Sequence, residues 1–170
     1  MNARCYGGEI SEVVSQVKAV LPSGEVKSYS SLDHIFHGYK DTLFMRNGAV
    51  IAEIVLNLKP GDRQSMQEKM DFCQQDRENK GQFLFPSCGC VFKNNYEVGV
   101  PAGMLLEAAG AHTLSTKAAQ LNPKHANFVY NLGTNSRNIL ELTFAMRELV
   151  YAEFGVWLEY EMEILGELPQ

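Results

Sequence analysis

The stretch Ala49-Val50-Ile51-Ala52-Glu53-Ile54-Val55-Leu56-Asn57-Leu58, broken by Pro60-Gly61, decides the fold class. Val50, Ala52, Ile54, Leu56 and Leu58 recur at every second position, while Ile51 and Val55 make the other face partly apolar. That period marks a strand. Past the break, Arg63 to Lys80 is polar, with Met66, Met70 and Cys73 at helical spacing. It reads as a helix with one thin apolar stripe. Working towards the N-terminus, Val14, Val17 and Val20 sit among polar neighbours. Pro22-Ser23-Gly24-Glu25 is a turn signal and Val26 to Tyr29 a returning strand, so the segment reads as a β-hairpin. Ser30-Ser31-Leu32-Asp33 is expected to cap a short helical turn.

Towards the C-terminus, Gly81 to Asn95 is rich in Phe, Cys and Gly and fits loop plus strand. Pro101 to Ala109 reads as a short helix ended by Gly110. Asn127 to Tyr130 suits a strand. Asn135 or Ser136 caps the strongest helix, whose buried stripe is Ile139, Leu142, Met146, Leu149 and Val150, and Gly155 ends it. Val156 to Met162 alternates like a strand. The chain is therefore α+β with mostly antiparallel strands. The polar helix separates two halves, residues 1–80 and 81–170.

The 170 residues carry 15 basic and 20 acidic side chains, a net charge of −5, and 45% are hydrophobic. This is enough to bury a core, as one domain or one and a half. No run approaches the roughly 18–20 apolar residues of a membrane helix. Met1-Asn2-Ala3-Arg4 has no apolar core behind it, so no signal peptide is read there. An acidic chain without a Lys/Arg cluster is a poor nucleic-acid binder. The one-residue gap in Cys88-Gly89-Cys90 fits neither a zinc knuckle nor the Cys-x-x-Cys redox motif. Cys5 and Cys73 stand apart, and His34, His37, His112 and His125 are not at metal-ligand spacing. No metal site is expected, and the chain reads as cytoplasmic with reduced thiols.

Five segments, in order, carry a resemblance: Asn2-Ala3-Arg4-Cys5-Tyr6-Gly7-Gly8-Glu9, Phe36-His37-Gly38-Tyr39-Lys40-Asp41, Pro86-Ser87-Cys88-Gly89-Cys90-Val91-Phe92-Lys93-Asn94, Lys124-His125-Ala126-Asn127-Phe128, and Trp157-Leu158-Glu159-Tyr160-Glu161 with Gly166. Together they resemble the UDP-N-acetylenolpyruvoylglucosamine reductases, in the shorter of that family's two types. The resemblance implies a flavoprotein that passes hydride from NADPH, through FAD, to the enol ether of UDP-N-acetylglucosamine enolpyruvate. The product is the peptidoglycan precursor UDP-N-acetylmuramate. It also implies that residues 1–80 end an FAD-binding region of antiparallel strands and that 81–170 form an α+β domain for the UDP-sugar.

Hydride on the β carbon leaves a carbanionic α carbon, which needs a proton donor and a group to hold the enolate. By the resemblance the donor is Cys90, where the family has Ser. A thiol, with a reference pKa of about 8.5, is a stronger acid than an alcohol. The bland alternative is a small buried strand residue. Glu161 matches the family's enolate-stabilising carboxyl, or is one more acid beside Glu159, Glu163 and Glu167. Lys40 stands where the family has Arg, keeping the charge but losing the two-pronged geometry. Tyr39, Lys93, Asn94 and His125 match positions near the substrate, and Asn2, Tyr6 and Gly7 match a flavin-side loop. Each has its structural alternative of packing or solvated surface.

The pattern breaks on the flavin side. The chain starts where the family already has a whole FAD lobe behind it. Arg4 replaces a Gly, Glu163 replaces a basic residue, and Lys117-Ala118-Ala119-Gln120 stands in place of a Gly-Gly. A competing expectation is therefore a non-catalytic UDP-sugar-binding or interaction protein derived from the family. Without the first lobe, exposed apolar surface and self-association are expected. The sequence sets no oligomeric state.

Overall fold

The computed structural model describes residues 1–166 and separates into two compact units, Met1–Lys69 and the chain from Met70 onward. Glu167, one of the tail acids, lies outside the described residues.

The first unit opens with a small hairpin, β1 (Arg4–Cys5) and β2 (Gly8–Glu9). Cys5 pairs with Gly8, so Tyr6 and Gly7 form a two-residue loop. Both have positive φ, 48° and 79°. That is the geometry of a type I′ turn, and it accounts for Gly7 without any ligand. The expected hairpin follows as β3 (Val14–Val20) and β4 (Val26–Ser30), with Val17 opposite Tyr29. The stretch expected to begin a helix after β4 is instead a turn. Asp33 N–H donates to Ser30 O at 3.1 Å and Ser30 N–H to Asp33 Oδ2 at 2.7 Å. The latter contact is one a helix start would also make, but His34 follows at φ 50°, in the left-handed region, and the turn does not continue.

A second small hairpin, β5 (Phe36–Gly38) and β6 (Asp41–Thr42), carries Tyr39 and Lys40 at its turn and leads into α1 (Leu43–Asn47). The strand of the opening stretch is β7 (Val50–Leu56), and it pairs with β3 at one edge of the sheet β4-β3-β7. The core is Val14, Val17, Ala19, Tyr29, Ile35 and Phe44, with Tyr29 and Phe44 edge to face at 5.4 Å. All seven residues of β7 are exposed, Val50 at 68%. The period of β7 was readable; its burial was not. The helix α2 (Arg63–Asn79) likewise buries no residue, and Met66 and Met70 are half exposed or more.

The second unit centres on a hairpin of β8 (Ala119–Asn122) and β9 (His125–Asn131). The helix α3 (Ala102–Ala108) contributes Leu105 and Leu106 to the core, and α4 (Arg137–Phe154) contributes Leu142, Met146 and Val150. The start of α4 is capped by Asn135, whose Oδ1 accepts from Arg137 N–H at 2.9 Å, and Gly155 ends it in the left-handed region. The tail is not the continuous strand its alternation suggests. It makes one isolated bridge, Phe92 to Tyr160. Around it Lys93 N–H donates to Glu159 O and Glu161 N–H to Val91 O.

The hairpin also fastens the end of α2. Lys124 Nζ donates to Asn79 O, Asn122 Nδ2 to Lys80 O, and the Tyr130 hydroxyl to Gly81 O at 2.6 Å. These carbonyls belong to the last helical turn and the residues after it, which lack partners of their own. Gly81 is required here. Its φ is +70°, and a Cβ would stand 2.8 Å from the Tyr130 hydroxyl.

Candidate functional site

In the second unit, β9 pairs with the segment that carries Cys90. Cys90 bridges Phe128, and Val91 N–H donates to Asn127 O at 2.9 Å. On its other side Val91 O accepts from Glu161 N–H at 2.8 Å. Cys90 and Glu161, 71 residues apart in the sequence, thus flank Val91. A cleft of about 300 Å³ opens beside this segment, lined by Cys90, Asn94, Met104, Lys124, His125 and Asn127 among others. Three of the expected residues, Cys90, Asn94 and His125, therefore share one cleft.

Their environments differ. Asn94 Oδ1 accepts from Ala102 N–H at 3.0 Å, at the start of α3. A ligand contact by Asn94 therefore falls to its amide nitrogen. The His125 imidazole is held below its ordinary value of 6.5, first by burial and then by the positive charge of Lys80, against an opposing pull from Glu107. It is neutral at pH 7 and offers one donor and one acceptor. Lys93 turns to Glu159, with Nζ 3.6 Å from the carboxylate. The Cys88 thiol is pushed above its ordinary value, first by loss of water around it and also by the charge of Glu161. The Glu161 carboxylate is therefore within electrostatic reach of the Cys-Gly-Cys segment.

The remaining expected residues lie in the first unit. Asn2 is buried, 1% exposed. Its Nδ2 donates to Glu9 Oε1 and, at 3.2 Å, to Gly38 O, while its Oδ1 accepts from Ser11 N–H at 3.1 Å. Asn2 thus ties the β1–β2 loop to the turn that presents Tyr39 and Lys40. Arg4 grips Glu9 Oε2 through Nε at 2.9 Å, and this pairing leads the causes that hold the Glu9 carboxyl below its usual value. Lys40 has φ 55° and its Nζ lies 5.8 Å from the centre of the Tyr39 ring. Tyr6 is 39% exposed, and a Cβ added at Gly7 would meet no atom within 4 Å.

Lys124, Glu107 and Asn127 line the cleft without having been singled out in the sequence. Asn127 was detectable: a polar residue between Ala126 and Phe128 in an apolar strand must find a buried partner. Among the described residues no cluster of three or more metal-ligating side chains occurs, and no helix is long and apolar enough to cross a membrane.

A thiol, the Asn94 amide, the His125 imidazole, the Lys124 ammonium and the Glu107 carboxyl line one cleft of an α+β unit. A sequence profile described as UDP-N-acetylenolpyruvoylglucosamine reductase, C-terminal domain, matches residues 79–165, and the chain belongs to that family. The chain is 34% identical over 168 residues to the UDP-N-acetylenolpyruvoylglucosamine reductase of Clostridioides difficile (strain 630), covering 98% of this chain and 54% of that protein. The same-named protein of Geobacillus kaustophilus (strain HTA426) is 36% identical with the same coverage. The crystal structure of the reductase MurB from Thermus caldophilus superposes with a TM-score of 0.76 at 27% identity, over 96% of this chain and 57% of that one. The chain thus spans about half the length of the curated relatives it matches.

Proposed function

We propose that this chain supplies the substrate cleft and the proton donor of a flavin-dependent reductase acting on UDP-N-acetylglucosamine enolpyruvate in peptidoglycan synthesis. The observation that carries this reading is the gathering of Cys90, Asn94 and His125 on one cleft inside the region matched by the family profile. Asn94, through its amide nitrogen, and neutral His125 suit the carbonyl and hydroxyl groups of a sugar nucleotide. Lys124 suits its diphosphate as a point charge.

A bound FAD would supply the hydride chemistry, from NADPH to the β carbon of the enol ether. Everything after that is proton and charge handling by side chains. The Cys90 thiol gives its proton to the α carbon. The Glu161 carboxyl, donating its O–H, is the group assigned to the enolate. Asn2, Tyr6 and Gly7 are the residues of the first unit that would approach a flavin, and the loop at Gly7 is open and exposes the Tyr6 ring. The glycine-rich pyrophosphate cradle of the family has no counterpart in these 170 residues.

The test follows the proton. The chain is given FAD, NADPH and the enolpyruvyl substrate in heavy water, and deuterium at the α carbon of the product is read by mass spectrometry. Cys90→Ser keeps turnover, because the alcohol is the family's own donor. Cys90→Ala loses it by about 100-fold or more. An alanine variant that turns over like the parent contradicts the reading. A chain that binds the UDP-sugar but never retains flavin points to the alternative, a non-catalytic sugar-nucleotide-binding protein.

A further inference from the structure

The backbone of β9 stops pairing with the Cys90 segment at Asn127 O, which accepts from Val91 N–H. The next residue, Phe92, is 1% exposed, and its main-chain groups need partners. The Asn127 side chain supplies both. Phe92 N–H donates to Asn127 Oδ1 at 2.9 Å, and Asn127 Nδ2 donates to Phe92 O at 2.8 Å. Asn127 is itself 3% exposed.

An extended residue presents its N–H and C=O on one side, and a primary amide offers one acceptor and one donor in the same spacing. Among the side chains of this length only Asn is complementary to both. Asp has no donor when ionised, and Leu has neither group. The pair extends the sheet one residue beyond its backbone ladder and locks the register of Cys90 to Asn94. On the opposite side the same segment holds the tail, through Val91 O to Glu161 N–H and Lys93 N–H to Glu159 O.

We infer that Asn127 is a positioning residue: its amide, bonded to both main-chain groups of Phe92, fixes the Cys90 thiol in the cleft and in register with Glu161. Both polar atoms of the amide are committed to Phe92, so Asn127 shapes the cleft wall and leaves ligand contact to its neighbours. The inference rests on the assignment of Cys90 as proton donor only for its catalytic meaning; the geometry is tested without turnover.

The test uses the full chain and Asn127→Asp. Two readouts are taken: hydrogen exchange at the Phe92 amide, and the rate at which iodoacetamide alkylates Cys90, mapped by mass spectrometry against Cys5 and Cys73. In the parent, the Phe92 amide is protected to the level of the β9 core amides. In Asn127→Asp with the carboxyl ionised, an oxygen stands where Nδ2 donated to Phe92 O, and the repulsion between the two oxygens opens the pair; protection at Phe92 then falls about tenfold or more and Cys90 alkylation accelerates by a similar factor, while Cys5 and Cys73 keep their rates. Acidification restores Phe92 protection in the variant, because a protonated Asp again has one donor and one acceptor. A role in general stability alone would change all three cysteines together and give no recovery in acid. If Asn127→Asp does not fold, the parent's Phe92 amide still decides: exchange as fast as that of exposed loop amides overturns the inference. So does a folded Asn127→Asp whose Phe92 amide and Cys90 behave like the parent's. Should both readouts hold while the chain never reduces substrate, the positioning stands and the functional assignment of Cys90 falls.

Discussion

His125 shows how a residue's surroundings fix what it can do. Burial disfavours its charged form, so its folded value lies below the ordinary 6.5. Below that ordinary value the unfolded chain takes up a proton that the folded chain resists. Folding stability from this group is therefore complete above pH 6.5 and declines as the pH falls towards the lowered folded value. Replacing His125 with Gln is expected to flatten this part of the acid limb in denaturant unfolding measured across pH. An unchanged acid limb would show that His125 is solvated. At this scale the sequence was informative where a motif flanked the residue, as at Cys90 and Asn94. Lys124 and Asn127 stood inside a motif without a role of their own, because their roles come from partners far along the chain.

Among the elements, segments with a period or with flanking turn residues were legible, the seven-residue helix α3 included, and the two-residue strands were not. The hairpin of β3 and β4, the helices α2 and α4 and the strand β7 follow from period and turn residues. The two-residue strands β1, β2 and β6 contain no period to read, and tertiary pairing alone defines them. The tail alternates as a strand does, yet its neighbour is a single short segment, so it makes one bridge. The fastening of α2 to the β8–β9 hairpin was equally invisible, since it joins a helix end to a hydroxyl 49 residues away. Its worth is measurable. Tyr130→Phe leaves the Gly81 carbonyl without its buried partner and is expected to lower stability by about 1–2 kcal/mol in urea unfolding, with the m-value unchanged. No loss would mean that water replaces the hydroxyl and the fastening is incidental. The exposed face of β7 belongs to the same scale: alternation identifies a strand, but burial depends on what packs against it.

For the whole molecule, the order of five weak motifs carried more than any one of them, and the family profile falls on the half where the motifs match best. The site residues divide between two units, with Cys90, Asn94, His125 and Glu161 in one and Asn2, Tyr39 and Lys40 in the other. The residues that line the cleft all belong to the second unit, which makes sugar-nucleotide binding testable apart from flavin chemistry. The most direct measurement is a titration of the isotopically labelled chain with UDP-N-acetylglucosamine, followed by amide chemical shifts. The account predicts saturable shifts centred on Asn94, Lys124, His125 and their neighbours in the cleft. No shift at millimolar ligand, or shifts confined to the first unit, would contradict it.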